Sequence, residues 1–249
     1  MSKTAILSDI HGNLEALEAV LHDASEKNVT RFWCLGDVVG YGPNPNECLD
    51  LVCQSFEFCV LGNHENGVLF PTEGFSSQAE RSMEWTRGQV LNSAPEHRAP
   101  RWAFLNQLPR VVHRDGLMFV HGSPVGPMSD YVFPEDVGNR RRLERMFCLV
   151  SRICFQGHTH IPGVFTPDGR FLSPADLPDG FGSGEHKLMV NVGSVGQPRD
   201  GDERASYLIV DDDWFEFQRV GYNLDATIEK VTAIPELGPV LANRLRLAK

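Results

Sequence analysis

The chain contains 249 residues, and its formal net charge is −10 at pH 7. This length is typical of one large α/β unit, so we expect a single domain over residues 1–249. The acidic balance, with no basic run longer than residues 140–142, disfavours an extended nucleic-acid partner. It does not exclude a small nucleotide, because bound divalent metals would reverse the local charge.

No apolar stretch approaches the roughly 18 residues of a membrane span, and the first strand begins too early for a signal peptide. We therefore expect a soluble, cytoplasmic protein with no membrane partner. The cysteines form no C-x-x-C pair, and three of them lie in apolar strand patterns. We interpret all six as buried, reduced thiols: Cys34, Cys48, Cys53, Cys59, Cys148 and Cys154.

The first 61 residues alternate between strand and helix patterns. Short apolar runs predict three buried strands, and apolar residues at helical spacing predict the two helices between them. In chain order these elements cover residues 4–7, 13–27, 31–35, 46–54 and 57–61. The alternation predicts parallel strands joined by right-handed crossovers.

The pattern then changes to helices without strands, which we interpret as a helical insert over about residues 65–110, beside the site. A capping box from Ser77 to Glu80 opens a helix that ends near residue 92, and a second helix covers residues 96–108. Such an insert, together with exposed strand edges, could support a homo-oligomer, although no self-complementary seam is visible.

Strands resume at residues 111–112 and 117–120, and a charged helix over residues 137–151 precedes a strand at residues 153–155. The last third of the chain predicts further strands, which we expect to form a second, mainly antiparallel sheet packed on the first. They cover residues 164–165, 188–192, 206–210 and 214–220. A helical segment over residues 224–247, broken near Pro235 and Pro239, ends the chain.

Five short motifs follow strand-like runs, so they carry Asp, Asn and His side chains to one end of a sheet. The motifs are residues 8–13 (SDIHGN), 36–37 (GD), 62–65 (GNHE), 121–122 (HG) and 157–160 (GHTH). These side chains suit Mn, Fe, Zn, Ni or Mg. Two ions about 3.5–4 Å apart need a shared ligand, and the carboxylate of Asp37 is our candidate. Spacing alone does not assign the other ligands to either ion.

The ordered pattern D-x-H, G-D, G-N-H-[D/E], H and G-H-x-H resembles that of the calcineurin-like metallophosphoesterases. Residues 191–199 (NVGSVGQPR) are also similar to a loop of the small bacterial and archaeal branch of that family. The resemblance extends from the first strand to about residue 210. It implies an α/β fold, a four-layer αββα sandwich of two mixed sheets flanked by helices.

The resemblance also implies the roles of individual residues around two divalent or trivalent metal ions (Mn, Fe, Zn or Ni). His64 would contact the phosphate or protonate the leaving oxygen, while a metal-bridging hydroxide attacks phosphorus. The implied ligands form two sets that share Asp37: Asp9, His11 and His160 for one metal, and Asn63, His121 and His158 for the other. The implied function is hydrolysis of phosphodiesters or of small-molecule and nucleotide phosphoesters.

One departure narrows the substrate class. The protein-phosphatase branch reads G-D-x-x-D-R-G at the second motif, whereas this chain has Gly40 and Tyr41 in place of the Asp-Arg pair. A guanidinium fork suits a dianionic monoester, so its absence favours small phosphodiesters or nucleotides. Arg199 or Arg81 could compensate, which keeps serine/threonine-type and sugar phosphomonoesterases open as alternatives.

Simpler interpretations exist for single residues. Asp9 could be a turn residue and Asn13 a helix N-cap, but five ordered motifs after five strands argue for a site. A non-catalytic metal-binding interaction scaffold is a further alternative, since a relative in the retromer coat lacks the catalytic histidine that this chain retains as His64. The remaining histidines are predicted at the surface: His22, His97, His113 and His186.

Overall fold

The computed structural model describes residues 3–71 and 76–249. Its strands are β1 (Lys3–Leu7), β2 (Val29–Cys34), β3 (Phe58–Cys59), β4 (Val112–Arg114), β5 (Leu117–Phe119), β6 (Ile153–Gln156), β7 (Gly163–Phe165), β8 (Phe171–Leu172), β9 (Phe181–Gly182), β10 (Leu188–Asn191), β11 (Ala205–Asp211) and β12 (Trp214–Val220). Its α-helices are α1 (Leu14–Glu26), α2 (Pro45–Ser55), α3 (Asn63–Leu69), α4 (Ser77–Leu91), α5 (Pro95–Gln107), α6 (Arg140–Leu149), α7 (Leu224–Ala233) and α8 (Gly238–Leu247).

The strands form two six-stranded sheets, with the orders β3-β2-β1-β11-β12-β9 and β4-β5-β6-β10-β7-β8. In the first sheet, β1, β2 and β3 are parallel, as the β-α-β-α-β alternation predicted, and the other pairs are antiparallel. In the second sheet, β5, β6 and β10 are parallel to one another and the remaining pairs are antiparallel. Both sheets are therefore mixed, as expected.

Alternation along the strands builds the four layers. Ile6 of β1 faces the second sheet, where it joins a core that contains Phe155 of β6, whereas Leu7 packs with the helices α1 and α2. In the second sheet, Cys154 of β6 lies on the face that is covered by helices, where it packs with Met146 of α6. Residues two apart share a face of a strand, so each sheet presents one face to its partner and one to helices. The predicted αββα sandwich is confirmed.

The predicted membership of the sheets was wrong for β11 and β12. We expected the strands of the last third to form the second sheet, but β11 lies antiparallel to β1 and completes the first, with Ile6 opposite Leu208. Only β7, β8 and β10 of the later strands join the second sheet. Strand β1 is central and buried, so its backbone groups need hydrogen-bonding partners on both sides. The apolar pattern of β11 does not reveal which strand it pairs with or which sheet it joins.

Three local details also differ from expectation. Helix α4 is capped by Ser76 rather than Ser77, since the Ser76 side chain accepts a hydrogen bond from the Ala79 amide. The charged helix predicted over residues 137–151 is interrupted at Asn139, which caps α6 after a 3₁₀ turn at Pro134–Gly138. Helix α3 begins at Asn63, slightly before the predicted start of the helical insert at about residue 65. The described parts of the predicted insert, residues 65–71 and 76–110, contain helices and no strand, and residues 72–75 lie outside the description.

All six cysteines are free thiols, as predicted, but Cys53 and Cys148 are exposed rather than buried. Over residues 3–71 and 76–249, no helix has both the length and the hydropathy needed to cross a membrane.

The topology brings the five motifs to one edge of the sandwich. Strands β1, β2 and β3 run parallel, as do β5 and β6, and each of the five ends shortly before a candidate ligand. Because parallel strands present their carboxyl ends at the same edge, residues distant in sequence meet there. In chain order these ligands are Asp9, Asp37, Asn63, His121 and His158.

Phe155 tests the packing between the sheets. Its side chain is fully buried and stacks on Phe119 with ring centroids 5.3 Å apart. Phe155→Ala should lower the free energy of unfolding by about 3–5 kcal/mol, because it leaves a cavity between two rigid sheets. Urea denaturation followed by circular dichroism measures this change. Leu149→Ala, at a side chain that is 52% exposed, is the matched control and should change it by less than about 0.5 kcal/mol. A loss below about 1 kcal/mol for Phe155→Ala would contradict the packing described.

Candidate metal centre

The structure brings the predicted ligands into one buried cluster. Ligand atoms lie within 4.8 Å of one another in three overlapping groups: Asp9, His11 and His160; His11, Asp37 and His64; and Asp37, His121 and His158. Asn63 joins the third group, because its Oδ1 lies 3.1 Å from His121 Nε2. The Oδ2 atom of Asp37 is 3.8 Å from His11 Nε2 and 3.2 Å from His121 Nε2, so it faces both ends of the cluster.

Both central carboxylates are oriented by backbone amides. One oxygen of Asp9 accepts a hydrogen bond from the His158 amide at 2.9 Å, and one oxygen of Asp37 accepts from the His64 amide at 2.9 Å. The other oxygen of each carboxylate is turned towards the histidines, with Asp9 Oδ1 3.2 Å from His160 Nε2. Each Asp therefore joins two motif loops and leaves one oxygen available to a cation.

The backbone of the motif loops is held in an unusual conformation. In the described chain, ten residues other than glycine have a positive φ, and five of these are candidate ligands: Asp9, His11, Asp37, His158 and His160. Such residues cost of order 1–3 kcal/mol each and persist only where the surroundings enforce them. Here the first two loops bond to each other, with the amides of Asp9, His11 and Gly12 donating to carbonyls of residues 36–38 at 2.8–3.0 Å.

The histidines present lone pairs to the cluster. In each of four histidines, one ring nitrogen lies against a backbone carbonyl, which can only accept, so that nitrogen carries a proton and the other nitrogen of the ring faces the cluster. The pairs are His11 Nδ1 with Val39 O, His121 Nδ1 with Leu35 O, His158 Nε2 with Ser129 O, and His160 Nδ1 with Gln197 O. The opposite nitrogens meet inside, 3.1 Å apart for His11 and His160 and 3.0 Å for His121 and His158.

Facing lone pairs at these distances repel each other unless a proton or a cation lies between them. Neutral imidazole nitrogens together with carboxylate and amide oxygens are the donors that borderline divalent ions such as Mn, Fe, Zn and Ni accept. The residues present therefore fit a transition-metal centre.

The burial of these groups and the charges around them also favour the binding of a cation. Burial alone would raise the pKa of Asp9 and Asp37, but the surrounding histidines outweigh it and keep both carboxyls ionised. Burial opposes protonation of His121, yet Asp37 and Asp9 raise its pKa to about 10. Burial lowers the pKa of His158 to about 3. At neutral pH the cluster thus holds two carboxylates, one imidazolium and otherwise neutral rings, and this excess of negative charge attracts cations.

His64 belongs to the second of the three groups of ligand atoms, next to His11 and Asp37. Its Nε2 is 3.9 Å from Asp37 Oδ2, and its ring contacts His11 and Tyr41 with centroids 4.7 and 4.4 Å apart. Burial lowers its pKa to about 4 despite the nearby Asp37 carboxylate. Geometry alone would also allow His64 to be a ligand, and only the resemblance gives it another role.

Sequence reasoning missed Glu65, which is fully buried. Its carboxylate accepts hydrogen bonds from the amides of Gly62 at 3.0 Å, Asp37 at 2.8 Å and Val39 at 3.2 Å, so it connects two motif loops. Burial and the Asp37 charge raise its pKa to about 7. The signal was its place three residues after Gly62, the spacing of a capping box.

The segment over residues 191–199 also supports the loops, a role that its sequence did not reveal. The side-chain Nδ2 of Asn191 donates to Gly157 O at 2.7 Å and to Thr159 Oγ1 at 2.8 Å. The Ser194 hydroxyl donates to Asp9 O at 2.8 Å. Asn13 is an N-cap, as the simpler interpretation held, and it also donates to Gly196 O at 2.9 Å.

Of the two arginines considered as substitutes, only Arg199 acts on the site. Its positive charge contributes to lowering the pKa of His160, after burial, and its backbone amide donates to His160 O at 3.3 Å. Arg81 is exposed on α4 and donates to Gln78. The four histidines outside the motifs are exposed, as predicted: His22, His97, His113 and His186.

Metal binding should release a proton. His121 is protonated in the metal-free cluster because its pKa is raised to about 10, and a ligand nitrogen must be neutral, so Mn²⁺ has to displace that proton at pH 7. Calorimetric titrations with Mn²⁺ in two buffers of different ionisation enthalpy should show release of about one proton, and affinity should strengthen from pH 6 to pH 9.

The control for this measurement is His113→Gln, a change at an exposed histidine, which should leave the proton release unchanged. His121→Gln should reduce both the release and the affinity. Equal heats in both buffers for the unaltered protein would contradict the charge state described.

Comparisons with known proteins agree with this geometry. The family model described as a calcineurin-like phosphoesterase superfamily domain matches residues 3–213. An uncharacterized protein of Methanocaldococcus jannaschii is 36% identical over 244 residues, covering 92% of each chain. A symmetrical bis(5′-nucleosyl)-tetraphosphatase of Psychromonas ingrahamii is 38% identical over 80 residues, which are 31% of this chain and 29% of that protein.

Among solved structures, a metallophosphoesterase from Sphaerobacter thermophilus matches with a TM-score of 0.84 and 32% identity, covering 99% of this chain and 100% of that one. The protein is accordingly a phosphoester hydrolase, and it belongs to the calcineurin-like phosphoesterase superfamily.

Proposed function

We propose that the protein is a dinuclear metal-dependent phosphoesterase that hydrolyses small phosphodiesters or nucleotide phosphoesters. The observation that carries the proposal is the pair of buried donor groups that share the Asp37 carboxylate, one containing His11 and the other His121. A single ion would not need both sets, whereas two ions require a shared group between them.

The proposed ligands divide between the two ions as the resemblance implies. Asp37 is shared, and the remaining ligands are Asp9, His11 and His160 for one ion and Asn63, His121 and His158 for the other. When bound, the two ions supply Lewis acidity and lower the pKa of bound water. The protein orients these donors, keeps them dry and holds the carboxylates in their ionised form.

We assign proton delivery to His64. Its ring contacts His11 and Tyr41 at the edge of the cluster, close enough for a phosphate bound there to reach it. Its lowered pKa of about 4 describes the site without substrate. A phosphate anion beside the ring favours the imidazolium, so substrate binding raises this pKa and loads the proton that the leaving oxygen receives.

Arg199 is the proposed contact for the non-bridging phosphate oxygens. Its backbone amide donates to His160 O at 3.3 Å and its guanidinium to Gln197 Oε1 at 3.1 Å, so it is the arginine that could replace the Asp-Arg pair absent from residues 40–41. A guanidinium can pair with the phosphate of a diester or of a monoester, so the proposed preference for diesters rests on the absence of the Asp-Arg pair at residues 40–41.

A relative supports the nucleotide part of the proposal. The bis(5′-nucleosyl)-tetraphosphatase of Psychromonas ingrahamii shares an 80-residue region with this chain, and its name specifies a dinucleotide substrate. We further propose that the helical insert shapes specificity within a single domain. It reaches the site through Ser82 of α4, whose hydroxyl accepts a hydrogen bond from the Tyr41 amide at 2.7 Å.

The first test compares bis(p-nitrophenyl) phosphate with p-nitrophenyl phosphate in the presence of Mn²⁺. We expect a higher kcat/KM for the diester, and Asp37→Asn should reduce turnover by at least about a hundredfold because the shared carboxylate is lost. A preference for the monoester would redirect the proposal to a phosphomonoesterase. If the protein binds metal but shows no Asp37-dependent turnover of either ester, a non-catalytic interaction scaffold would be favoured.

His64→Ala separates proton delivery from metal binding. It should lower kcat by about 10²–10⁴-fold, the usual contribution of a general acid, while the metal content of the purified protein stays the same. Stopped assays and elemental analysis measure the two quantities. His22→Ala, at an exposed histidine of α1, is the control. An unchanged kcat, or a loss of metal equal to the loss of rate, would remove the proposed role.

A further inference from the structure

Two exposed aromatic rings form a stacked pair beside the metal centre. Tyr131 and Phe133, which we call the aromatic shelf, are each 42% exposed, and their rings lie nearly parallel, 5.5 Å apart at 5°. The Tyr131 ring also stacks on His158, with centroids 3.7 Å apart at 23°. A continuous stack therefore runs outward from a proposed metal ligand to the surface.

The chain holds this shelf in a defined position. Val132 is only 2% exposed and packs into the core, so the flanking Tyr131 and Phe133 both point outward, as neighbours of a buried residue in extended chain do. The Phe133 amide donates to Asp136 at 2.8 Å, which fixes the residue at the start of a 3₁₀ turn. Arg142 donates to the Tyr131 carbonyl and, at 3.1 Å, to the Asp130 carboxylate.

The preceding loop is also ordered by its own hydrogen bonds. Asp130 accepts from the Ser123 hydroxyl, and the amides of His121 and Gly122 donate to Pro127 O at 3.0 and 2.7 Å. A rigid aromatic surface loses little entropy when a ligand binds, so it is suited to recognition.

The shelf borders the space in which a substrate phosphate would lie. The Tyr131 ring lies directly against His158, with ring centroids 3.7 Å apart, so the shelf begins at the metal cluster itself. A role for Tyr131 limited to covering His158 would not account for Phe133, whose ring contact is with Tyr131 at the exposed end of the stack.

An exposed aromatic surface next to a phosphate site matches the shape of a nucleotide. A nucleobase is planar and stacks on aromatic side chains regardless of its identity. We propose that Tyr131 and Phe133 bind the nucleobase of a nucleoside phosphoester whose phosphate lies at the metal cluster. This inference rests on the proposed function for the position of the phosphate, and it adds the residues that select nucleotides.

The test compares two ligands that differ only in the base. Adenosine 5′-monophosphate and ribose 5-phosphate are titrated calorimetrically into the Mn²⁺-loaded protein and its variants. We expect the nucleotide to bind at least about tenfold more tightly to the unaltered protein. Phe133→Leu keeps an apolar side chain without the ring and should remove most of this difference, whereas Phe133→Tyr should preserve it. Affinity for ribose 5-phosphate should be the same in all three proteins.

Two results would overturn the proposal: equal affinities for the two ligands in the unaltered protein, or a Phe133→Leu change that weakens both ligands alike or neither. Phe133 is a better probe than Tyr131, because Tyr131 contacts the proposed ligand His158. The Phe133 side chain is exposed, so its variants should fold normally, and circular dichroism checks this.

Turnover assays distinguish a failure of this inference from a failure of the proposed function. The p-nitrophenyl ester of thymidine 5′-monophosphate and methyl p-nitrophenyl phosphate share a leaving group, and only the first has a base. Phe133→Leu should raise KM for the thymidine ester by about tenfold and leave methyl p-nitrophenyl phosphate unchanged. If the unaltered protein hydrolyses neither diester, the proposed function fails, and the calorimetric comparison still decides whether the shelf binds a base.

Discussion

Two buried carboxylates determine most of this structure. Asp9 and Asp37 lie in a region that excludes water, where an uncompensated charge is strongly unfavourable. Each uses one oxygen to accept an amide hydrogen bond from a distant motif, at His158 and at His64. The same bonds that satisfy the carboxylates therefore position the neighbouring histidines. The remaining oxygens are turned towards the histidines, and the cluster keeps an excess of negative charge that a bound metal ion would neutralise.

This arrangement explains why strained backbone is concentrated at the site. Strands that end at one edge deliver side chains to the right region, but regular extended backbone would hold Asp9 and His11 side by side on one face of the sheet. A positive φ at both residues turns the chain so that both side chains reach His160, with Asp9 Oδ1 3.2 Å and His11 Nε2 3.1 Å from its Nε2. The amide bonds between the first two motif loops and the three accepted by Glu65 hold that conformation. The free energy stored in the loops is offset by packing between the sheets, where Phe119 and Phe155 stack.

Sequence alone predicted the parts of the protein that depend on local pattern. Parallel β1, β2 and β3 followed from alternating strand and helix signals, and the clustered ligands followed from motifs at strand ends. The pairing of β11 with β1 did not, because any apolar strand satisfies the local pattern and only the assembled sheet decides which edge is free. Glu65 was missed for a similar reason, since its buried carboxylate bonds to amides 26 and 28 positions away as well as to its own cap. Long-range backbone partners leave little trace in a single sequence.

Chemistry and selectivity are separated in this fold. The metal cluster draws on loops from both sheets, so a change in any of them alters the position of several ligands at once. The aromatic shelf belongs to one loop after β5, and Phe133 contacts the cluster only through Tyr131 and His158. A substitution at Phe133 can therefore change what the site recognises without moving the groups that carry out hydrolysis. Family-wide motifs report the first set of constraints, so the sequence alone does not single out residues 131–133. Their aromatic rings gain a role from their position in the fold.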